Sequence, residues 1–147
     1  MLLVEDNPED VFFMKRACRL AEVPLEMDVV SDGREAVDYL GAEGIYAAKE
    51  YHPIPDLVFL DIKLPKLTGL EVLEWIRTRP ELNNLPVIML TSSSQAEDIE
   101  RAYKLNVTSY LRKTANQEEF TQGVRVILKY WLQLNITPDR TDRRGGV

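Results

Sequence analysis

Four groups of residues in this 147-residue chain have types and spacing suited to joint chemistry: Glu5-Asp6, Asp61, Thr91 and Lys113. Each closes a short strand-like segment. Leu57-Val58-Phe59-Leu60 runs into Asp61, and Pro65 and Gly69 follow at intervals of four. A short apolar run with β-branched and aromatic members suits a strand covered on both faces. A carboxylate at its exit stands at the rim of a sheet, where open α/β proteins place their ligands. Leu2-Leu3-Val4 precedes Glu5-Asp6, Pro86 to Leu90 precedes Thr91, and Ser109 to Arg112 precedes Lys113.

Three carboxylates gathered in one crevice repel, and one keeps its proton unless a cation is present. Oxygen-only donors favour Mg²⁺, which is held by one or two carboxylates and retains several waters. Asp61, kept ionised by Mg²⁺ and Lys113, can attack phosphorus and form an acyl phosphate. A phosphoryl group in transfer spreads charge over three equatorial oxygens. Mg²⁺, Lys113 and the Thr91 hydroxyl offer one partner to each. The single histidine, His52, sits in an irregular stretch, so no Ser-His-Asp set is in view. Each residue taken alone has an ordinary reading: a cap, a turn, a solvated lysine. Their shared placement at the ends of successive strands favours the chemical one.

The elements that position them alternate as strand and helix five times. Strands are expected at 2–4, 25–30, 56–60, 86–90 and 109–112. Helices are expected at 8–21, 35–40, 69–77, 95–105 and 116–134. Asn7-Pro8 with Glu9 and Asp10 marks the first helix start, with both acids facing the positive end of the dipole. Val11, Met14, Cys18 and Ala21 form its stripe, and Pro24 ends it. Ser31-Asp32-Gly33 is a turn and cap. Ser92-Ser93-Ser94 offers caps for the fourth helix, on which Ala96, Ile99 and Tyr103 share a face, and Asn106 suits its stop. Residues 41–54 form a long connection with a helical turn expected at 45–50. Repeated β-α units give a parallel sheet with helices on both faces. The fold class is α/β, a doubly wound five-stranded parallel sheet of order 2-1-3-4-5 in three layers. That order brings Glu5, Asp6 and Asp61 to the crevice at the switch point.

The length fits one domain able to bury its own core. A net charge of −6 argues against nucleic acid, whose phosphates need a basic face. The lone Cys18 cannot pair within the chain and reads as a small core residue. No apolar run has membrane-spanning length, and none reads as a signal peptide, so the expected location is cytoplasmic. Residues 136–147 are polar and read as a disordered tail.

Taken in order, these residues resemble the receiver domain of response regulators in two-component systems, over about residues 1–135. The matching positions are Glu5-Asp6, Asp61, Pro65, Gly69, Thr91, Tyr110 and Lys113. The resemblance implies phosphoryl transfer from the phosphohistidine of a histidine kinase to Asp61. It implies Mg²⁺ held by Asp6, Asp61 and the backbone carbonyl of Lys63, with Glu5 acting through water. Thr91 and Tyr110 would be the switch pair. Receivers usually carry Lys-Pro with a cis bond where this chain has Lys113-Thr114. Without proline that bond costs roughly 2.5–4 kcal/mol, so a trans bond and a reshaped loop, or a strained one, is expected. Lys113-Thr114-Ala115-Asn116, the long connection before Asp56 and the ending Tyr130-Trp131-Leu132 are similar to the small stand-alone regulators that pair with cyanobacterial and bacterial phytochromes. Only about a dozen residues follow position 135, so no output domain is expected.

The last helix supports a separate reading. Phe120, Val124, Ile127, Trp131 and Leu134 form one stripe, widened by Val126, Tyr130, Leu128 and Leu132. The apolar arc is on the order of 200°, against about 100° needed to cover a core. The surplus points to a homodimer through Phe120, Tyr130, Trp131 and Leu134, joined by the helix at 95–105 and the last strand. Phosphorylation would draw Thr91 inward and let Tyr110 turn in behind it, coupling Asp61 to that face. A phosphohydrolase of the haloacid-dehalogenase type is disfavoured, because the position two after Asp61 is Lys63 rather than a second acid. A flavin-binding module is disfavoured by the acidic loop after the first strand. A degenerate receiver acting as a phosphorylation-independent scaffold is the alternative.

Overall fold

In the computed structural model, residues 1–48, 53–92 and 95–138 are described. Five strands form one parallel sheet of order β2-β1-β3-β4-β5: β1 (Leu2–Val4), β2 (Asp28–Val30), β3 (Val58–Asp61), β4 (Val87–Thr91) and β5 (Ser109–Arg112). The helices are α1 (Pro8–Leu20), α2 (Gly33–Gly41), α3 (Gly69–Thr78), α4 (Ala96–Lys104) and α5 (Gln117–Lys129).

Side chains alternate across the sheet and feed two cores. Leu2, Val4, Val58, Leu60, Val87 and Met89 face one way, toward Val37 and Leu40 of α2, Leu73 and Ile76 of α3, and Ala102 of α4. Leu3, Phe59, Ile88 and Leu90 face the other, toward Met14, Ala17 and Cys18 of α1 and Phe120, Val124 and Leu128 of α5. Both sheet faces are therefore covered, which is why the central strands are continuous apolar runs rather than alternating ones. Each fully buried aromatic or aliphatic side chain here contributes about 1.5–3 kcal/mol relative to an exposed one. Cys18 is one of these core residues; burial pushes its thiol up to about 11.

Several boundaries differ from those expected. β2 begins at Asp28, not at 25. Its pairing is with β1, from Leu2↔Asp28 to Val4↔Val30, and ahead of it the Glu26 carbonyl accepts from the Met1 amine at 2.8 Å. α2 starts at Gly33, with Asp32 as N-cap accepting from the Glu35 N–H at 2.7 Å. The long connection holds a short 3₁₀ turn at Gly44–Tyr46. The rest of the turn expected at 45–50 lies partly outside the described residues, as does His52. The N-cap position of α4 is Gln95, without a side-chain cap bond. Of the three serines expected to cap α4, Ser93 and Ser94 lie outside the described residues. On α4 the buried residue is Ala102, while Ala96 is exposed and Tyr103 is 53% exposed, so that face is turned from the one expected. Asn106 stops α4 at φ 58°.

α5 also departs from a simple continuation to 134. After Lys129 the chain widens into a π turn over Tyr130–Leu134, closed by the Asn135 N–H donating to the Tyr130 carbonyl at 2.6 Å. Phe120 belongs to the core and does not line an outer face, which corrects its place among the dimer candidates. Trp131 is partly buried against that core, whereas Val126, Tyr130 and Leu134 are exposed at 67%, 48% and 63%. The tail expected from 136 falls almost wholly outside the described residues.

Candidate functional site

Strand register assembles the site. Val4 pairs with Leu60, so the chain leaving β1 carries Glu5 alongside Asp61. Asp61 pairs with Leu90, the residue before Thr91. Thr91 pairs with Arg112, and its carbonyl accepts the Lys113 N–H at 2.7 Å. Glu5, Asp6, Asp61, Thr91 and Lys113 therefore lie at one end of the sheet. Glu5, Asp61 and Thr91 are buried there, and Asp6 is exposed at the mouth.

Glu5, Asp6 and Asp61 each offer a carboxylate oxygen, and these oxygens lie within 4.8 Å of one another. The Lys113 ammonium reaches into the same cluster. Its Nζ donates to Glu5 Oε2 at 2.5 Å, to Asp10 Oδ2 at 2.8 Å and to Asp61 Oδ2 at 3.2 Å. An ammonium has three N–H donors, and all three are used. Glu5 also accepts the Asn7 N–H at 3.1 Å, while Asn7 caps α1 through the Glu9 N–H at 2.9 Å.

The charges do not balance within this group: three acids surround one lysine, and Asp6 adds a fourth acid. Burial pushes the Glu5 carboxyl up to about 7; the hydrogen bond from Lys113 opposes the rise, and the charge of Asp61 adds to it. Burial alone would lower Lys113, but its bonds to Asp10 and Glu5 and the charge of Asp61 outweigh that and hold it above the usual lysine range. The lysine therefore stays cationic, and the most deeply buried acid carries the excess. Such a donor set, all oxygen and surplus in negative charge, fits a hard divalent cation.

Backbone contacts aim Asp61. A Cβ on Gly69 would come within 2.0 Å of the Asp61 carbonyl oxygen, and the Gly69 N–H donates to the Ile62 carbonyl at 2.8 Å. The start of α3 is thereby pressed against the end of β3, and Thr68 and Glu71 close a reciprocal capping box there. Lys63 lies in the bend between them. On the other side, a Cβ on Gly33 would meet the Leu67 carbonyl oxygen at 2.1 Å. The Gly33 N–H donates to the Pro65 carbonyl at 3.2 Å, and Lys66, at φ 68°, pairs with Asp32 at 3.0 Å.

Tyr110 is partly buried with its hydroxyl enclosed and no well-formed hydrogen bond to it. Burial raises its pKa, the Thr91 side chain lowers it, and the charges of Asp98 and Asp61 raise it further. The ring is thus already turned inward beside Thr91. The Lys113-Thr114 bond is trans, as the absence of proline suggested, and Thr114 Oγ1 donates to the Asn116 carbonyl at 2.8 Å.

One site residue was not recognised in the sequence. Asp10 was assigned to the dipole of α1, yet it binds Lys113. The available signal was position: a first-turn acid on a helix that begins four residues after a strand lies within reach of that strand's end.

Known proteins place this arrangement. Residues 1–125 match the response regulator receiver domain. The chain belongs to the response regulator receiver family. This receiver is 34% identical to the response regulator Rcp1 of Synechocystis sp. over 138 residues, 94% of this chain and 92% of Rcp1. Its fold is similar to that of the phosphorylated cyanobacterial phytochrome response regulator RcpA, with TM-score 0.85 and 40% identity, covering 94% of this receiver and 96% of RcpA. It is also similar to the Mn²⁺-bound form of Rcp1, with TM-score 0.84 and 33% identity over 94% and 97% of the two chains. Among the described residues, no helix of the receiver is long and apolar enough to cross a membrane.

Proposed function

We propose that this receiver accepts a phosphoryl group on Asp61 from the phosphohistidine of a sensor histidine kinase. The observation that carries the reading is the convergence of Glu5, Asp6 and Asp61 within 4.8 Å, with the Lys113 ammonium 3.2 Å from Asp61 Oδ2. In the transfer, an Asp61 carboxylate oxygen bonds to phosphorus as the P–N bond to the imidazole breaks. The electron pair stays on that nitrogen, and the ring departs as neutral imidazole because its other nitrogen carries a proton. Lys113 meets charge on one phosphoryl oxygen and the Thr91 hydroxyl donates to another. Asp6, Asp61 and the Lys63 backbone carbonyl, with Glu5 behind them, would hold Mg²⁺, which when bound supplies the remaining charge neutralisation. The likeness to RcpA, a phytochrome response regulator, makes a phytochrome the kinase to test first.

The readout is the face formed by α4, β5 and α5. Thr91 moving toward the phosphoryl group and Tyr110 following it couple Asp61 to that face. A shift from mostly off to mostly on needs roughly 5 kcal/mol of differential stabilisation. Val126, Tyr130, Leu134 and Tyr103 leave apolar surface exposed on it, and a second copy of the chain is the proposed occupant. Residues 1–135 are taken as the receiver domain and 136–147 as a polar tail, in a cytoplasmic protein.

Incubation with Mg²⁺ and a small phosphodonor tests the central claim. One phosphate per chain, stable in acid and labile in base, is expected, and none in Asp61→Asn. Uptake unaffected by that substitution overturns the assignment of Asp61, and no uptake at all favours the phosphorylation-independent scaffold. Sedimentation tests the dimer: a strict monomer at high concentration, with and without a phosphoryl analogue, rules it out.

A further inference from the structure

Asp10 has no role in the set of residues that would bind metal or phosphoryl, yet it makes one of the two shortest bonds to the Lys113 ammonium. The backbone on either side of the lysine is tied down, by the Lys113 N–H to the Thr91 carbonyl at 2.7 Å and by Thr114 Oγ1 to the Asn116 carbonyl at 2.8 Å. A cavity of about 30 Å³ lies beside the side chain, lined by Leu3, Met14, Phe120, Glu5, Asp10 and Lys113, which is room for a water molecule. The ammonium itself is held by carboxylates. Glu5 holds the ammonium from the β1 end, and Asp10 holds it from α1 at 2.8 Å.

These two restraints differ in what they can release. Glu5 is almost wholly buried, with its side chain 1% exposed, while that of Asp10 is 35% exposed. A partly solvated carboxylate loses a hydrogen bond from the lysine at lower cost than a buried one. Asp10 is also carried by a capped helix packed along α5, so its own position is well fixed.

We infer that Asp10 is a positioning residue for Lys113, holding the ammonium between α1 and Asp61 so that it meets the phosphoryl oxygen as transfer occurs. The inference rests on the phosphoryl-acceptor reading of Asp61. With acetyl phosphate as donor, the Asp61 oxygen bonds to phosphorus, the P–O bond to the acetyl group breaks, and the pair leaves on acetate. Lys113 donates hydrogen bonds throughout and transfers no proton.

The test is a double-mutant cycle on the full chain, read as the rate of acetyl phosphate uptake at saturating Mg²⁺. Asp10→Ala is expected to slow uptake by about tenfold or more, with Mg²⁺ affinity measured by calorimetry unchanged. Asp10→Asn, which keeps the shape but not the charge, should fall between the two. In a Lys113→Ala background, Asp10→Ala should have no further effect, because the group it positions is gone. A purely structural role for Asp10 would slow both backgrounds equally, and that additivity overturns the inference. So does an unchanged rate in Asp10→Ala while the wild type is phosphorylated at Asp61. Failure of the wild type itself to take up phosphate is a different result: it removes the acceptor reading, and the positioning role with it. Thermal melts of each variant show that the compared chains are folded.

Discussion

The Lys113 ammonium lies closer to Glu5, at 2.5 Å, than to Asp61, at 3.2 Å. The lysine is thus first the counter-ion of a buried glutamate and only second that of the acceptor. Removing the cation strands Glu5. Lys113→Met is expected to destabilise the metal-free protein by about 3–5 kcal/mol, the usual cost of breaking a buried pair from one side. Mg²⁺ should restore part of it. Urea unfolding with and without the ion measures both; a loss under about 1 kcal/mol would place the lysine in the class of surface pairs.

Glu5 also makes stability depend on pH in a direction unusual for an acid. Burial raises its folded pKa to about 7, above the ordinary carboxylate value of about 4.5. The folded state therefore binds the extra proton, and the contribution is fully present below about 4.5 and is lost as pH rises through about 7. In the absence of metal, the wild type should lose stability relative to Glu5→Gln between those values. Paired melts across that window check it, and a wild type that gains on the variant with rising pH contradicts it. Mg²⁺ binding should tighten over the same range, since the ion and the proton compete.

Gly69→Ala should cost at least about 1–3 kcal/mol, the range for overpacking, because the added Cβ would meet the Asp61 carbonyl oxygen at 2.0 Å. Backbone, not a yielding side chain, lies opposite. The variant should also lose phosphoryl uptake out of proportion to its stability, as Asp61 is displaced. Gly41→Ala is the control: its nearest neighbour is the Glu43 side chain at 3.4 Å, and it should fold normally.

Arg77 fastens two loops behind the sheet. Its guanidinium donates to the carbonyls of Asn106, Asn83 and Leu85 at 2.9, 3.1 and 2.9 Å. Arg77→Met leaves these acceptors without their donor and should cost about 1–3 kcal/mol. Amide exchange should rise at residues 82–86 and 106–108 together, because one side chain ties both segments; a rise in one alone would mean that the loops are held separately.

Tyr110→Phe removes an enclosed hydroxyl that has no well-formed partner, so it should be neutral or slightly stabilising. If Tyr110 is the follower of Thr91, the same variant should leave phosphoryl uptake intact, while Tyr110→Ala weakens the link between uptake and dimer formation. Sedimentation of phosphorylated samples distinguishes the two.

The repeated alternation of apolar runs and amphipathic stretches made the parallel α/β sheet readable in the sequence, and the strand ends pointed to Glu5, Asp6, Asp61, Thr91 and Lys113 as neighbours. Strand ends carry the chemistry, and a carboxylate after a buried run is visible in one dimension. What was not visible depended on partners elsewhere in the chain. The ladder of β2 starts at Asp28, opposite Leu2, while Leu25 and Met27 pack against the core and the Glu26 carbonyl accepts from the Met1 amine at 2.8 Å. Asp10 has a complete local explanation in the helix dipole, and only the approach of Lys113 from 103 residues away shows its other contact. Leu134 projects inward on a straight α-helix; the π turn adds backbone per revolution and swings it out. Tyr46 is now seen to lie edge-on to Tyr39, with ring centroids 5.1 Å apart, and to donate to Glu35 at 2.9 Å.

The loop from Ile62 to Thr68 is clamped at each end by main chain against a glycine, Gly33 on one side and Gly69 on the other. Its own side chains add to that hold: Ile62, Leu64 and Leu67 pack with the core, Lys66 pairs with Asp32 at 3.0 Å, and Thr68 caps α3. The stretch that carries Lys63 past Asp61 is thus pinned at both banks, and a side chain added at either glycine would press on it through main chain.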